Sequence, residues 1–173
     1  AVSSAQLDVD GIALDIESTR RFDTCTTDVR NRRQLEFSRQ LRSLLPGRSI
    51  GAIVLSPVWV ETMPNSLWPY FPFYEQTGQG THDVWVVMGY WTDMRNRFST
   101  GWFEPYRYTV ENVNRLRVRM GRSDLPVHII GGVMSNARAG DLELFSRAAR
   151  ETGVIGASLY DWASGSPAMM QPL

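Results

Sequence analysis

Two carboxylates stand at the end of an apolar run near the start of the chain. The run covers residues 9–16, and Asp15 and Glu17 lie two positions apart at its carboxyl end. Because side chains alternate along a strand, Ala13, Asp15 and Glu17 are expected on one face. Like charges this close, with partial burial, raise the pKa of one member of such a pair. A protonated Glu beside an ionised Asp is how a glycosidase keeps a general acid at neutral pH. The spacing alone also fits a polar strand end at which Asp15 accepts hydrogen bonds.

These residues belong to an alternating series of strand-like and helix-like segments. Short apolar runs predict five strands, at residues 9–16, 50–55, 83–90, 127–131 and 154–160. Apolar residues at helical spacing predict three helices between them, at residues 28–45, 106–120 and 139–152. Such alternation is typical of βα units around a parallel sheet, so the chain is expected to be an α/β protein.

Five strands are too few for a closed eight-stranded barrel, which takes about 250 residues. The motif resemblance described below implies the C-terminal part, about strands four to eight, of a (β/α)8 barrel, with residues 1–173 forming a single domain that lacks its N-terminal part. A missing N-terminal segment or a second chain would complete the barrel. An open five-stranded doubly wound sheet is the alternative. In both folds ligands bind at the carboxyl ends of the strands.

Composition excludes several classes of function. The formal net charge is zero and the charges are interspersed, which argues against a nucleic-acid partner. Every apolar run is shorter than the roughly 18 residues of a membrane span. Two dispersed His and one Cys lack the spacing of metal ligands, and no glycine-rich nucleotide loop is present. We therefore expect no metal and no cofactor.

The carboxylate strand also resembles a known motif. Residues 10–17, Asp-Gly-Ile-Ala-Leu-Asp-Ile-Glu, resemble the fourth-strand signature of the chitinase and endoglycosidase family. The resemblance implies that Glu17 is the general acid, that Asp15 orients the acetamido group of the substrate, and that Asp10 is a supporting residue. The chain departs from the family at Ala13, where the family has an Asp. The shorter Asp-x-Glu core is similar to that of the lysozymes with a barrel fold.

Two later strand ends extend the resemblance. Residues 88–93, Met-Gly-Tyr-Trp-Thr-Asp, resemble the family's sixth strand, which implies that Tyr90 hydrogen-bonds the sugar. Trp91, which stands where the family has an Asp, is a candidate to contact substrate, and Asp93 is the candidate replacement for that Asp. Packing inside the barrel is the alternative for Tyr90. Residues 13–18, 56–57, 88–92 and 156–162 also resemble uncharacterised actinobacterial barrel glycosidases.

The end of the last strand, Tyr160-Asp161-Trp162, supplies three further candidates. The resemblance implies that Trp162 is the floor of a sugar subsite, with Tyr160 beside it. Asp161 is the candidate second carboxylate opposite Glu17, or a cap of the following turn.

A long segment rich in Pro and aromatics, residues 57–82, contains Trp59 and Glu61. We expect these two residues either to wall a carbohydrate cleft or to pack against the missing strands. His128 is expected to be a hydrogen-bonded core residue, and His82 to be exposed.

The resemblance implies a glycoside hydrolase that acts on an extracellular or cell-wall polysaccharide, with an amino-sugar glycan favoured. The expected location is therefore extracellular or in the cell envelope. One alternative is a glycan-binding or surface assembly module without catalysis. Another is a barrel that binds a phosphorylated metabolite through Gly131-Gly132, although these glycines equally fit relief of crowding at the rim.

Overall fold

The computed structural model describes residues 9–16, 26–62, 81–97, 101–161 and 163. Its centre is an all-parallel five-stranded sheet in which each strand pairs with the next one along the chain, in the order β1-β2-β3-β4-β5. The strands are β1 (Gly11–Ile16), β2 (Ser49–Leu55), β3 (Val84–Met88), β4 (Val127–Val133) and β5 (Gly156–Tyr160). The predicted α/β class is confirmed.

Within the described ranges, five α-helices follow or separate these strands. They are α1 (Thr27–Leu44), α2 (Pro57–Thr62), α3 (Trp91–Arg97), α4 (Pro105–Met120) and α5 (Asp141–Thr152), with 3-10 turns at Gly101–Phe103 and Met134–Asn136. Every predicted strand, and helices α1, α4 and α5, agree with the prediction within two residues at each end. Helices α2 and α3 were not predicted, because helices of one to two turns show too little periodicity to be read from sequence.

The ends of the long helices are fixed by local hydrogen bonds. Thr26 Oγ1 accepts a hydrogen bond from the Val29 N–H at the start of α1. The Glu104 carboxylate accepts from two backbone N–H groups of the first turn of α4. Gly121 ends α4 and Gly153 ends α5 with φ of 62° and 59°, the left-handed conformation that glycine adopts without cost. These caps set the length of each crossover between strands.

The described helices pack on one face of the sheet, here called the helix face. The strand register aligns Leu14, Ala52, Trp85 and Val127 in one row across that face. Buried residues of α4 and α5 form one core with this face, among them Val113, Leu116, Met120, Phe145 and Ala149. Leu41 and Leu45, at the end of α1, pack on Ile50 of the same face. A doubly wound sheet carries helices on both faces and reverses its strand order, so the arrangement favours an arc of a (β/α)-barrel.

A buried polar network joins the end of β2 to α4. Ser56 Oγ donates to Asn112 Oδ1 at 2.7 Å and lies 2.6 Å from the Tyr108 hydroxyl. Asn112 Oδ1 also accepts from Val58 N–H at 3.0 Å, and its Nδ2 donates to the Tyr108 carbonyl at 2.9 Å. All three polar side chains are buried, and burial raises the pKa of Tyr108 to about 12. The network fixes the turn from β2 into α2.

His82 lies at the amino end of β3, and the prediction that it is exposed is wrong. It is 6% exposed. Its Nδ1 lies 2.8 Å from Thr81 Oγ1, and its Nε2 lies 3.4 Å from Ser38 Oγ of α1. Burial, and secondarily the charge of Arg42, lowers the pKa of His82 to about 4. The imidazole is therefore neutral at pH 7.

Within the described ranges, no helix combines the length and the apolar character that crossing a bilayer requires.

Candidate functional site: the open face of the sheet

The face of the sheet opposite the helix face, here called the open face, collects the side chains that alternate with the core residues. Two rows cross it, Asp15–Ile53–Val86–His128–Gly156 and Leu55–Met88–Ile130–Ser158. Asp15 and Ser158 are exposed, and most of the apolar side chains between them are only partly buried. In a barrel arc this face is the concave interior, and ligands bind at its carboxyl edge, where the strands end.

Asp15 lies on the open face, as the strand alternation requires, while Ile16 is buried on the helix face. The residue that pairs with Asp15 on the adjacent strand β2 is the apolar Ile53. With the other residues of the described ranges, Asp15 makes no hydrogen bond or ion pair. The alternative that Asp15 accepts hydrogen bonds at a polar strand end is therefore not supported by any partner in the described ranges. Glu17 lies outside the described residues, so its role stays a prediction.

Two tyrosines meet at the carboxyl edge of the sheet. Tyr90 follows β3 and Tyr160 ends β5, and their ring centroids are 5.7 Å apart with an interplanar angle of 54°. Tyr160 is 50% exposed. Both were predicted to contact substrate, and the structure brings them together. The two rings form an aromatic contact at this edge.

Trp91, in contrast, is a core residue, which corrects the prediction that it contacts substrate. It is 0% exposed, and its ring lies 4.8 Å from that of Phe145. The backbone of β4 passes against the indole, because a Cβ at Gly131 would lie 2.7 Å from Trp91 Cη2. A Cβ at Gly132 would lie 2.8 Å from Trp91 Cε2. Gly131 and Gly132 therefore relieve crowding against the indole. This packing accounts for the paired glycines, which had suggested a phosphate-binding loop.

Glu61 and Trp59 belong to the helix layer, not to a cleft wall. Glu61 forms ion pairs with Arg115 at 2.7 Å and with Arg119 at 3.1 Å, both on α4. Trp59 is half-buried and packs against the helix-face core. Both residues therefore contact the helix layer, whereas the sequence left open a carbohydrate cleft and packing against the missing strands. The aromatic residues at 63–80 lie outside the described residues.

The acidic candidates are spread around the sheet. Asp161 follows β5, four strand spacings from β1, or about 19 Å along the sheet. Paired glycosidase carboxylates stand about 5–10 Å apart, so Asp161 can pair with a carboxylate of β1 only across a strongly curved sheet. Asp10 is exposed at the amino end of β1, about 16 Å along the strand from Asp15. Asp93 lies in the first turn of α3, and Trp162 is outside the described residues.

His128 and Ser158 form a pair on the open face. His128 Nε2 lies 2.9 Å from Ser158 Oγ, and partial burial lowers the pKa of the imidazole. The predicted hydrogen bond of His128 is confirmed, but its place in the core is wrong. Ser158 was not predicted, since only the register between β4 and β5 brings it to His128. Among the side chains that the structure describes, no three His, Cys, Asp or Glu residues are grouped as metal ligands.

Comparison of the chain with protein-family models, with curated proteins and with solved structures gave no match. The resemblance to barrel glycosidases therefore rests on the residues of the chain itself.

Proposed function

We propose that the chain is a glycoside hydrolase-like protein that acts on an extracellular or cell-wall polysaccharide, an amino-sugar glycan being favoured. Glu17 is the general acid, and Asp15 is its ionised partner. The observation that carries the proposal is the position of Asp15, which is exposed on the open face near the carboxyl end of β1.

The chemistry depends on the residue that follows Asp15 on the same face. The sequence predicts that this residue is Glu17, because side chains alternate along a strand. No described cation neutralises Asp15, so its charge favours the protonated form of a neighbouring carboxyl. A protonated Glu17 would then donate its proton to the glycosidic oxygen. The Tyr90–Tyr160 surface supplies a ring to stack against and hydroxyl groups for the sugar.

A glycan-binding module without catalysis is the second candidate, and Ala13 favours it. Ala13 is exposed on the open face beside Asp15, and its neighbour across β2 is Gly51. The middle acid of the related motif is therefore absent, and the adjoining strand supplies no side chain in its place. Such a site keeps the surface that binds sugar but lacks one negative charge that would raise the pKa of the general acid.

The test uses Glu17→Gln and a panel of chito-oligosaccharides and peptidoglycan fragments. We expect the substitution to abolish the release of reducing ends and to leave glycan binding intact, because the amide keeps the shape and loses the transferable proton. Glu143→Gln is the matched control, since Glu143 is exposed in the first turn of α5. Binding without release by the wild-type chain establishes the second candidate. Neither binding nor release across the panel contradicts the carbohydrate proposal.

A further inference from the structure

The pair formed by His128 and Ser158 is independent of the carboxylates of β1. Ser158 is exposed, and His128 is partly exposed on the same face. The Nε2–Oγ distance of 2.9 Å is that of a hydrogen bond between a base and a hydroxyl nucleophile. A hydroxyl nucleophile and a base within this distance are two parts of a serine hydrolase site, in which a third group orients the base.

The local sequence makes room for the imidazole. A Cβ at Gly156 would lie 2.6 Å from His128 Nδ1, so any larger residue at this position of β5 would displace the ring. Gly156 is the first residue of β5, and an exposed hydrogen bond stabilises a fold by little. The stability of the sheet therefore does not explain why the ring is held against β5 with Nε2 toward Ser158.

The neighbours of the pair are apolar. Val86 of β3 stands beside His128 in the register, and Ile130 of β4 stands beside Ser158. Both side chains are partly exposed. A short apolar acyl group could pack on Val86 and Ile130 while its carbonyl carbon lies against Ser158 Oγ.

We propose that Ser158 and His128 are a nucleophile and general base that cleave esters of short acyl groups. Ser158 Oγ bonds to the carbonyl carbon while the bond to the leaving alkoxide oxygen breaks. The serine proton passes to His128 Nε2 and from there to the leaving oxygen. Water then attacks the acyl-serine, gives a proton to His128, and releases the carboxylic acid as Ser158 regains its proton. The lowered pKa of His128 keeps the base unprotonated at pH 7.

The experiment treats the whole chain with an alkyl fluorophosphonate, which transfers its phosphonyl group to an activated serine and releases fluoride. Mass spectrometry of the digested chain then locates the adduct. We expect it on Ser158 in the wild-type chain, about 100-fold slower labelling in His128→Gln, and the wild-type rate in Ser135→Ala. Ser135 is the control because it is exposed in the turn after β4, away from the pair.

The pH profile supplies a second readout. The labelling rate should fall as the pH is lowered through the depressed pKa of His128 and the imidazole takes up a proton, and this dependence should disappear in His128→Gln. The position of the adduct is measured on the wild-type chain, so the test does not depend on a variant that folds. A wild-type chain with no adduct on Ser158, or equal labelling of wild type and His128→Gln, overturns the proposal. Neither outcome depends on Glu17.

Discussion

Acidification should destabilise the fold through His82. The residue is buried at the amino edge of the sheet, and its pKa is lowered from 6.5 to about 4, chiefly by burial and then by the charge of Arg42. The unfolded chain therefore binds a proton at a pH where the folded chain does not. The contribution of His82 to the free energy of unfolding is therefore fully present above pH 6.5 and is lost as the pH falls toward 4.

The magnitude follows from the two pKa values. Linkage gives a loss of about 2 kcal/mol in the free energy of unfolding at pH 5, and about 3 kcal/mol at pH 4. The nearby carboxylate of Asp83 opposes the shift, which limits it. The loss at pH 5 is a large fraction of the stability of an ordinary domain.

The assay is urea unfolding of wild type and His82→Gln at pH 7 and pH 5. Gln keeps an amide that can donate and accept hydrogen bonds toward Thr81 and Ser38 but takes up no proton. Every other titrating group, His128 included, is common to both proteins, so the difference in their pH dependence belongs to His82. Wild type should lose about 2 kcal/mol more than the variant. Equal losses in the two proteins refute the reasoning.

Two further substitutions test the packing that positions the open face. Asn112→Ala should lower the free energy of unfolding by about 3 kcal/mol, because it leaves the Ser56 hydroxyl and the Val58 N–H without their buried acceptor. Asn114→Ala, at an exposed position of the same helix, is the control. Equal losses of stability in the two variants, measured by chemical denaturation, would contradict the role of the network. Gly131→Ala should cost about 2 kcal/mol, since the added Cβ meets the Trp91 ring, whereas Gly101→Ala meets nothing within 4 Å and should be nearly neutral in the same thermal melt.

The sequence predicts the elements well because their signals are local. Apolar runs locate each described strand, and helical spacing locates α1, α4 and α5, within two residues at each end. Period-two alternation assigns Asp15 and Ile16 to opposite faces. The barrel was implied by the resemblance at residues 10–17, and the sequential strand order and one-sided packing of the described helices are consistent with an arc of one.

The contacts that sequence reasoning missed are all long-range. Trp91 looks like a site residue because it ends a strand, but its burial depends on the glycines of β4. His82 looks exposed between strands, yet Ser38 of α1 and Trp85 enclose it. The meeting of His128 with Ser158 depends on a register between two strands that no local pattern specifies.

The most direct test of the central claim, that the open face is where this chain binds glycan, is a titration of backbone amide chemical shifts with a chito-oligosaccharide. We predict that the largest changes occur at Asp15, Tyr90 and Tyr160, at the carboxyl edge of the open face. Changes confined to the outer surfaces of α4 and α5, with the open face unaffected, would contradict the account.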